Sequence, residues 1–378
     1  MEDLRIVEVS FTDFRNHASF HLENVGELTV FVGPNGSGKT NAVEGVQLLT
    51  AHGSLRGATS EQLIRWGRPF ARLEARARND VRDLALATVI EPKSRSYTLN
   101  GKRKAVQDMQ GIIPAVAFSP DDMELAKGPH APRRAALDLL GCQLSRNHRV
   151  IKRDYDKLVR HKNALLRDDA PATLLAAVND ALVPAAEQLY LYRTALLRNL
   201  LPRMAAAYAE LSGGERLEAS YAPSWLSDEE KARLAAAPEF GAAEKGMAAA
   251  LLAAAMGRRA GEERARKRAL VGPHADRVEF FIDGRNASAF ASQGQQRSLV
   301  LAWKIAEVGV VKDVSGARPV LLLDDVMSEL DVRRRSALVD LLRRDIQTFI
   351  TATDTSCFDD DIMQRADVVD LSEERGKA

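Results

Sequence analysis

Apolar and polar positions change period twice along the chain. From Leu4 to about Val116, short β-branched runs alternate with turn residues, and residues 6–9, 28–32, 84–90 and 96–99 read as strands. Asn100-Gly101, behind the last of them, is a hairpin-turn signal. Between about Pro132 and Ala269 the background turns to Ala, Leu and Arg, with apolar residues every three or four positions, the period of helices. Pro171, Pro184, Pro202, Pro223 and Pro238 are predicted to cut this region into helices of ordinary length. The alanine-heavy stretch 248–255 reads as a closely packed buried helix. Strand signals return at 278–282, where Asp283-Gly284 follows as a turn, then at 320–323 and 348–351. The pattern predicts an α/β lobe made of 1–131 and 270–378, interrupted by a helical insertion lobe over 132–269.

Composition narrows the class. The chain has 378 residues, enough for two or three domains or lobes at about 150 each. Hydrophobic residues make up 46% and charged residues 28%, which excludes wholesale disorder. With 53 Lys+Arg against 52 Asp+Glu the net charge is +1, so any polyanion must be held by a local patch. Two cysteines, Cys142 and Cys357, cannot build a disulfide framework and fit a reducing compartment. No apolar run reaches the roughly 20 residues of a membrane span, and the acidic start is not that of a secretion signal. A soluble cytoplasmic protein with no membrane partner is the expectation.

The chemistry is concentrated in three motifs. Gly33, Pro34, Asn35, Gly36, Ser37, Gly38, Lys39 and Thr40 fit G-x-x-x-x-G-K-[ST] in full. Its glycines let backbone N–H groups close around phosphate oxygens, Lys39 reaches the β- and γ-phosphates, and the Thr40 hydroxyl suits Mg2+. An apolar strand comes before the motif and an amphipathic helix after it, so the chain is predicted to bind a nucleotide. The second motif is the apolar run 320–323 ending in Asp324 and Asp325. Side chains alternate along a strand, so Asp324 is predicted to face Mg2+ and Asp325 to orient or deprotonate the attacking water. The third is Ser292-Gln293-Gly294-Gln295-Gln296-Arg297 ahead of a predicted helix over 298–307. Ser and Gly at a helix N-terminus make an ordinary cap or an anion site. Its place shortly before Asp324 favours the signature of cassette-type ATPases, used against the γ-phosphate of a second subunit. Ser328-Glu329-Leu330-Asp331 then looks like the D-loop of that class.

These residues resemble the RecF family of bacterial recombination mediators, related to SMC-type ATPase heads. Phe14-Arg15-Asn16-His17, the P-loop, Phe118-Ser119-Pro120-Asp121-Asp122, Arg133-Arg134 before Leu137-Asp138, Gly272-Pro273-His274, the signature and Leu323-Asp324-Asp325-Val326 carry the likeness. It implies an ABC/SMC-like ATPase head with the second lobe between P-loop and signature. It also implies ATP and Mg2+ as ligands and an ATP-dependent homodimer on DNA, with slow, DNA-stimulated hydrolysis acting as a switch. With RecO and RecR the dimer would help load RecA at single-strand gaps bordered by duplex, in DNA replication, repair, recombination and the SOS response. Arg15, Asn41, Ser292, Gln293, Gly294, Gln295 and Asp331 join the P-loop as implied nucleotide contacts. A switch histidine is replaced by Thr351-Ala352-Thr353-Asp354, and Gln62 is one candidate among several for a Q-loop glutamine. Two rival readings stay open, another cassette or SMC-like ATPase and a nucleotide-gated scaffold in which cleavage is incidental.

The insertion adds a basic stripe. Arg146, Arg149, Arg153, Lys157 and Arg160 recur every three or four residues and share one face of a helix. Leu144, Ile151, Tyr155, Leu158 and Leu165 are predicted on the opposite face, and Asp154 and Asp156 are expected to neutralise the stripe poorly. Like charges at these spacings cost a few tenths of a kcal/mol per pair, roughly. A bound phosphate backbone would offset that cost, whereas a solvated face is the plain alternative.

Overall fold

The computed structural model describes residues 3–50, 53–54, 56–227, 229–230, 242–327, 330–342, 345–355 and 358–372. Pro238, Cys357 and the Ser328-Glu329 half of the expected D-loop lie outside the described residues. The chain forms two compact units, the first made of residues 1–123, 206–214 and 293–378, the second of 124–205 and 215–292. Residues 124–131 and 270–292 therefore group with the insertion.

The first unit has two sheets. Strands β1 (Arg5–Phe14), β2 (His17–Glu23), β4 (Ala71–Arg78), β5 (Asp83–Glu91), β6 (Ser94–Leu99) and β7 (Lys102–Lys104) form an antiparallel sheet ordered β2-β1-β4-β5-β6-β7. The other sheet is parallel throughout, ordered β14-β3-β13-β12-β8, with β3 at Leu28–Val32, β8 at Ala115–Phe118, β12 at Val320–Leu323, β13 at Thr348–Ala352 and β14 at Ala366–Asp370. Parallel strands covered on both faces read as continuous apolar runs, as β3 and β12 do. β4 alternates buried Ala and Leu with outward Arg and Glu, but its composition is that of a helix, which hid it from a propensity reading. Helix α1 (Lys39–Leu49) fits between the sheets. A Cβ on its Gly45 would stand 2.4 Å from the Phe11 ring, so only glycine allows this approach. The core joins Phe11, Phe14, Phe20 and Phe31 to Val43, Val46, Leu73, Leu322 and Phe349.

The second unit holds α2 (His130–Leu144), α3 (Arg146–Arg167), most of α4 (Ala172–Ser212), α5 (Ala242–Arg266) and a sheet ordered β11-β10-β9, with β9 at Leu217–Ala222, β10 at Arg277–Ile282 and β11 at Arg285–Asn286. The expected break of helix at Pro184 and Pro202 is wrong, because α4 runs unbroken for 41 residues through both prolines. Each proline costs about 3 kcal/mol in a helix interior. Burial of Leu182, Leu189, Tyr190, Leu200, Met204 and Tyr208 along the same helix offsets that cost. Pro171 and Pro223 do lie outside helices. The alanine-rich stretch is a helix buried along one face only, with Ala248, Leu252, Ala255 and Met256 packed on Leu189, Tyr190 and Trp225 while Ala250, Ala253 and Ala254 are exposed, which corrects the expectation of a buried helix. Among the described residues no helix is long and apolar enough to cross a membrane.

Candidate functional site

The parallel sheet assembles the site at the carboxyl ends of its strands, where open α/β sheets bind ligands. β3 runs into the P-loop and β12 into Asp324, and β13 lies between them. Gly33, Gly36 and Gly38 take φ values of 146°, 80° and 109°, turning the loop back on itself before α1 starts at Lys39. A Cβ on Gly38 would fall 2.8 Å from the side chains of both Asn16 and His17, so glycine is required there twice over. Lys39 Nζ donates to the carbonyls of Gly33 at 2.6 Å and Pro34 at 3.1 Å, which places the ammonium over the loop mouth. The Ser37 hydroxyl is buried with no hydrogen-bond partner among the described residues, a donor aimed into a loop built for anions.

The acid pair meets the P-loop across 284 residues of sequence. Thr40 Oγ1 donates to Asp324 Oδ1 at 2.7 Å, and Thr351 Oγ1 donates to the same oxygen at 3.0 Å. Thr351 Oγ1 in turn accepts the Asp325 N–H at 2.8 Å. Burial pushes the Asp324 carboxyl above its ordinary range, against the pull of the two threonine donors. One hydroxyl and one carboxylate, with no cluster of three or more His, Cys, Asp or Glu among the described residues, suit a small hard cation that keeps waters and phosphate oxygens as its other ligands. The residues fit Mg2+. Asp325 stands exposed beyond the strand end in a left-handed conformation, φ 50°, which separates its direction from that of Asp324.

Phe14-Arg15-Asn16-His17, at the β1–β2 turn, braces this loop. Asn16 Nδ2 donates to the Ser37 carbonyl at 3.2 Å, His17 Nε2 lies 3.2 Å from the Gly38 carbonyl, and Asn41 Nδ2 donates to Asn16 Oδ1 at 2.7 Å. Arg15, expected at the nucleotide, forms a two-pronged pair with the wholly buried Glu44 of α1, at 2.9 and 3.2 Å, and also donates to the Gln62 carbonyl. Arg15 and Asn41 thus hold the P-loop helix. The side chain of Gln62 caps the short helix Ser60–Leu63 in a capping box with Thr59. Among the switch alternatives, Thr351 is buried against the acids, whereas Thr353 is exposed and bonded to Asp354. Glu44 was missed because it reads as an ordinary polar position of an amphipathic helix.

The signature starts its helix earlier than expected. α6 spans Gln293–Ser315, with Ser292 just ahead of it. Arg334, on α7 (Val332–Leu342), donates through Nε to Ser298 Oγ at 2.9 Å, has Nη2 3.1 Å from where a Cβ on Gly294 would lie, and forms an ion pair with Asp331. Gly294 of the expected signature and Asp331 of the expected D-loop therefore meet one guanidinium. Asp122 of the Phe118–Asp122 motif reaches the other side of α6, pairing with Lys304 at 2.8 Å. Burial works against the Lys304 charge, but Asp122 and Glu307 outweigh it and hold the ammonium up at about 12.

In the second unit, Arg134, Asp138 and Gly272-Pro273-His274 enter one polar network, whereas the buried Arg133 donates to the carbonyls of Leu125, Ala126 and Val278. Arg193 clamps Asp138 at 2.7 Å through two nitrogens and donates to the Pro273 carbonyl at 2.6 Å, while Arg134 donates to the Asp276 carbonyl. Tyr155 lies 2.6 Å from His274 Nδ1. On α3 the stripe is largely exposed. Arg146, Arg153, Lys157 and Arg160 face solvent, and Arg149 is half-buried with Nη1 on the Cys142 carbonyl. Two expectations change. Asp154 pairs with Arg153 at 2.9 Å, so it neutralises part of the stripe, and Leu144 belongs to α2, not to the apolar face of α3. That face carries Tyr155, Leu166 and Lys162, the last in a buried pair with Glu263 at 2.7 Å.

The chain is similar to known proteins over almost its whole length. The family model described as the RecF/RecN/SMC N terminal domain matches residues 5–371. The DNA replication and repair protein RecF of Lactobacillus delbrueckii subsp. bulgaricus is 35% identical over 93% of this chain and 91% of its own. That of Myxococcus xanthus is 34% identical over 93% and 92%. A solved structure of the recombination mediator protein RecF-ATPrS in the RecFOR pathway superposes with a TM-score of 0.85 at 26% identity, covering 95% of each chain. The Smc head domain of Pyrococcus furiosus, at 15% identity and a TM-score of 0.53, shares the fold alone.

Proposed function

The chain belongs to the RecF family of RecF/RecN/SMC N-terminal domain proteins, a family of DNA replication and repair proteins with the SMC-type ATPase head fold, and from this premise we propose an ATP-gated, DNA-binding switch of recombinational repair. Lys39 and the loop N–H groups bind the phosphates, and Thr40 with Asp324 holds Mg2+. When bound, the cation neutralises charge on the β- and γ-phosphates. Ser292, Gln293, Gly294 and Gln295 of a second copy close the site, with Asp331 at the same interface, so a homodimer forms around ATP. Asp325 then orients or deprotonates water, and slow, DNA-stimulated cleavage to ADP and phosphate lets the dimer open.

The DNA is duplex and the duplex border of single-stranded gaps, tracked by the α3 stripe. RecO, RecR and RecA are the partners, and the compartment is the cytoplasm. The observation that carries this reading is the 2.7 Å bond from Thr40 to Asp324, which joins phosphate loop and metal acid into one centre.

Sedimentation with and without ATP and duplex DNA tests it. The wild type should dimerise on adding ATP and bind duplex. Ser292→Arg should bind ATP as a monomer but not dimerise, since a bulky cation blocks the helix end meant for the partner. Mixing it with Lys39→Ala should restore at most one composite site per dimer and part of the phosphate release. Loss of ATP binding by Ser292→Arg monomers overturns the arrangement in trans.

A further inference from the structure

The chain has three tryptophans. Trp303 and Trp225 are buried, but Trp66 is 99% exposed. Single exposed apolar side chains are common on proteins and usually carry no meaning. Trp66 differs in how it is held. It heads the turn Arg65-Trp66-Gly67-Arg68, which is tied down from both sides. The Arg65 N–H donates to the Asp13 carbonyl at 2.8 Å, and the Arg68 N–H donates to the Arg65 carbonyl at 3.0 Å. Ile64 pairs with Phe14 across an isolated bridge, and Leu63 just before it is wholly buried. Asp13 also receives the Arg68 guanidinium at 3.3 Å, with Arg65 at 3.9 Å. The turn is thus fixed to the end of β1, one residue pair from the motif that braces the P-loop, and it presents the indole outward on a rigid mount.

The neighbours suit one kind of ligand. Phe70, 45% exposed, lies two residues past the turn and leads into β4. The pairing of Ala71 with Ile90, and of Glu91 with Ser94, brings the β5–β6 turn and its exposed Lys93 to this end of the sheet. Arg65 and Arg68 are held on Asp13, but the Arg68 side chain stays 54% exposed, and with the Lys93 ammonium it sets positive charge beside flat aromatic rings, which matches bases that stack while their phosphates meet cations. A protein partner would call for a wider apolar surface or a pocket, and the large exposed apolar side chains of residues 65–70 are two rings among charges.

We propose that Trp66 is a stacking platform for an unpaired nucleobase, so that this turn takes the single-stranded part of the DNA. The proposal rests on the DNA-binding reading above and assigns the unpaired strand to a surface apart from the α3 stripe. In ATP and Mg2+, a single-stranded oligonucleotide and a duplex of equal length are titrated into the full chain, following tryptophan emission and affinity. The solvent-exposed component of the emission should be quenched by the single strand. Trp66→Ala should weaken single-strand binding by about 5- to 150-fold, the range found for one stacked base. Trp66→Phe should keep most of the affinity, and duplex binding and melting temperature should stay unchanged in both variants. Unchanged single-strand affinity in Trp66→Ala, with duplex still bound, overturns the platform and leaves the DNA-binding reading intact. A wild type that binds neither DNA overturns both. Emission that responds to protein concentration but not to the oligonucleotide assigns the ring to contact between copies and also overturns the platform.

Discussion

Thr351→Val tests the organisation of the acid pair with almost no change in shape. The hydroxyl it removes donates to Asp324 at 3.0 Å and accepts the Asp325 N–H at 2.8 Å. A hydrogen bond to a charged group contributes roughly 1.5–3 kcal/mol, and Thr40 remains as a second donor at 2.7 Å. A destabilisation of about 2 kcal/mol is expected, a few degrees in melting temperature. The catalytic effect should be larger than the stability effect. Asp325 sits in a left-handed conformation that its N–H bond to Thr351 holds in place. A shift of about 1 Å in a positioned group costs on the order of 100-fold in rate, so phosphate release should drop by roughly 10- to 100-fold. ATP binding without Mg2+ should be intact, because Lys39 and the loop are untouched. Burial already pushes the Asp324 carboxyl up and the threonine donors oppose it, so loss of one donor moves it further up. The acid limb of Mg2+-dependent ATP binding should therefore move to higher pH. Thr351→Ser keeps the hydroxyl and should restore rate and pH profile. Nucleotide titration with and without Mg2+, phosphate release and thermal melting across pH read these effects. If Val and Ser behave alike, and like the wild type, Thr351 does not position the acids.

Replacing Arg149, Arg153, Lys157 and Arg160 together by Gln should lower the salt slope of duplex binding by roughly 2–4 units, with ATP binding unchanged. An unchanged slope assigns the stripe to solvent. Asp138 offers a pH test of the second unit. Burial alone would raise its carboxyl, but Arg193, His148 and Lys152 outweigh this and hold it down at about 2, from an ordinary 3.8. A depressed carboxylate stabilises the fold above its unfolded value and loses that contribution as pH falls through the folded one, here between about 4 and 2. Asp138→Asn should be less stable at pH 7 and should show a flatter loss of stability across that acid window in denaturant melts. An equally steep acid loss in the variant would remove Asp138 as its source.

The local features of this chain were legible because their causes are local. The P-loop follows from glycines that permit positive φ beside a lysine and a hydroxyl at fixed spacing. β3 and β12 follow from apolar runs that only a doubly covered strand tolerates. Asn100-Gly101 and Asp283-Gly284 do take the positive φ values of hairpin turns. The tertiary structure decided what depends on distant partners. Pro184 and Pro202 punctuate a sequence by their local cost, but that cost is small beside the apolar burial along a 41-residue helix. The partner of Arg15 was not legible, because only the folded chain sets the buried Glu44 of α1 against its guanidinium. Thr351 is one hydroxyl among many until β13 inserts between β3 and β12 and sets it on both acids. Hydrogen bonds that close across 284 residues leave no spacing to read, because loop entropy, sheet order and burial choose the partner only when the chain has folded.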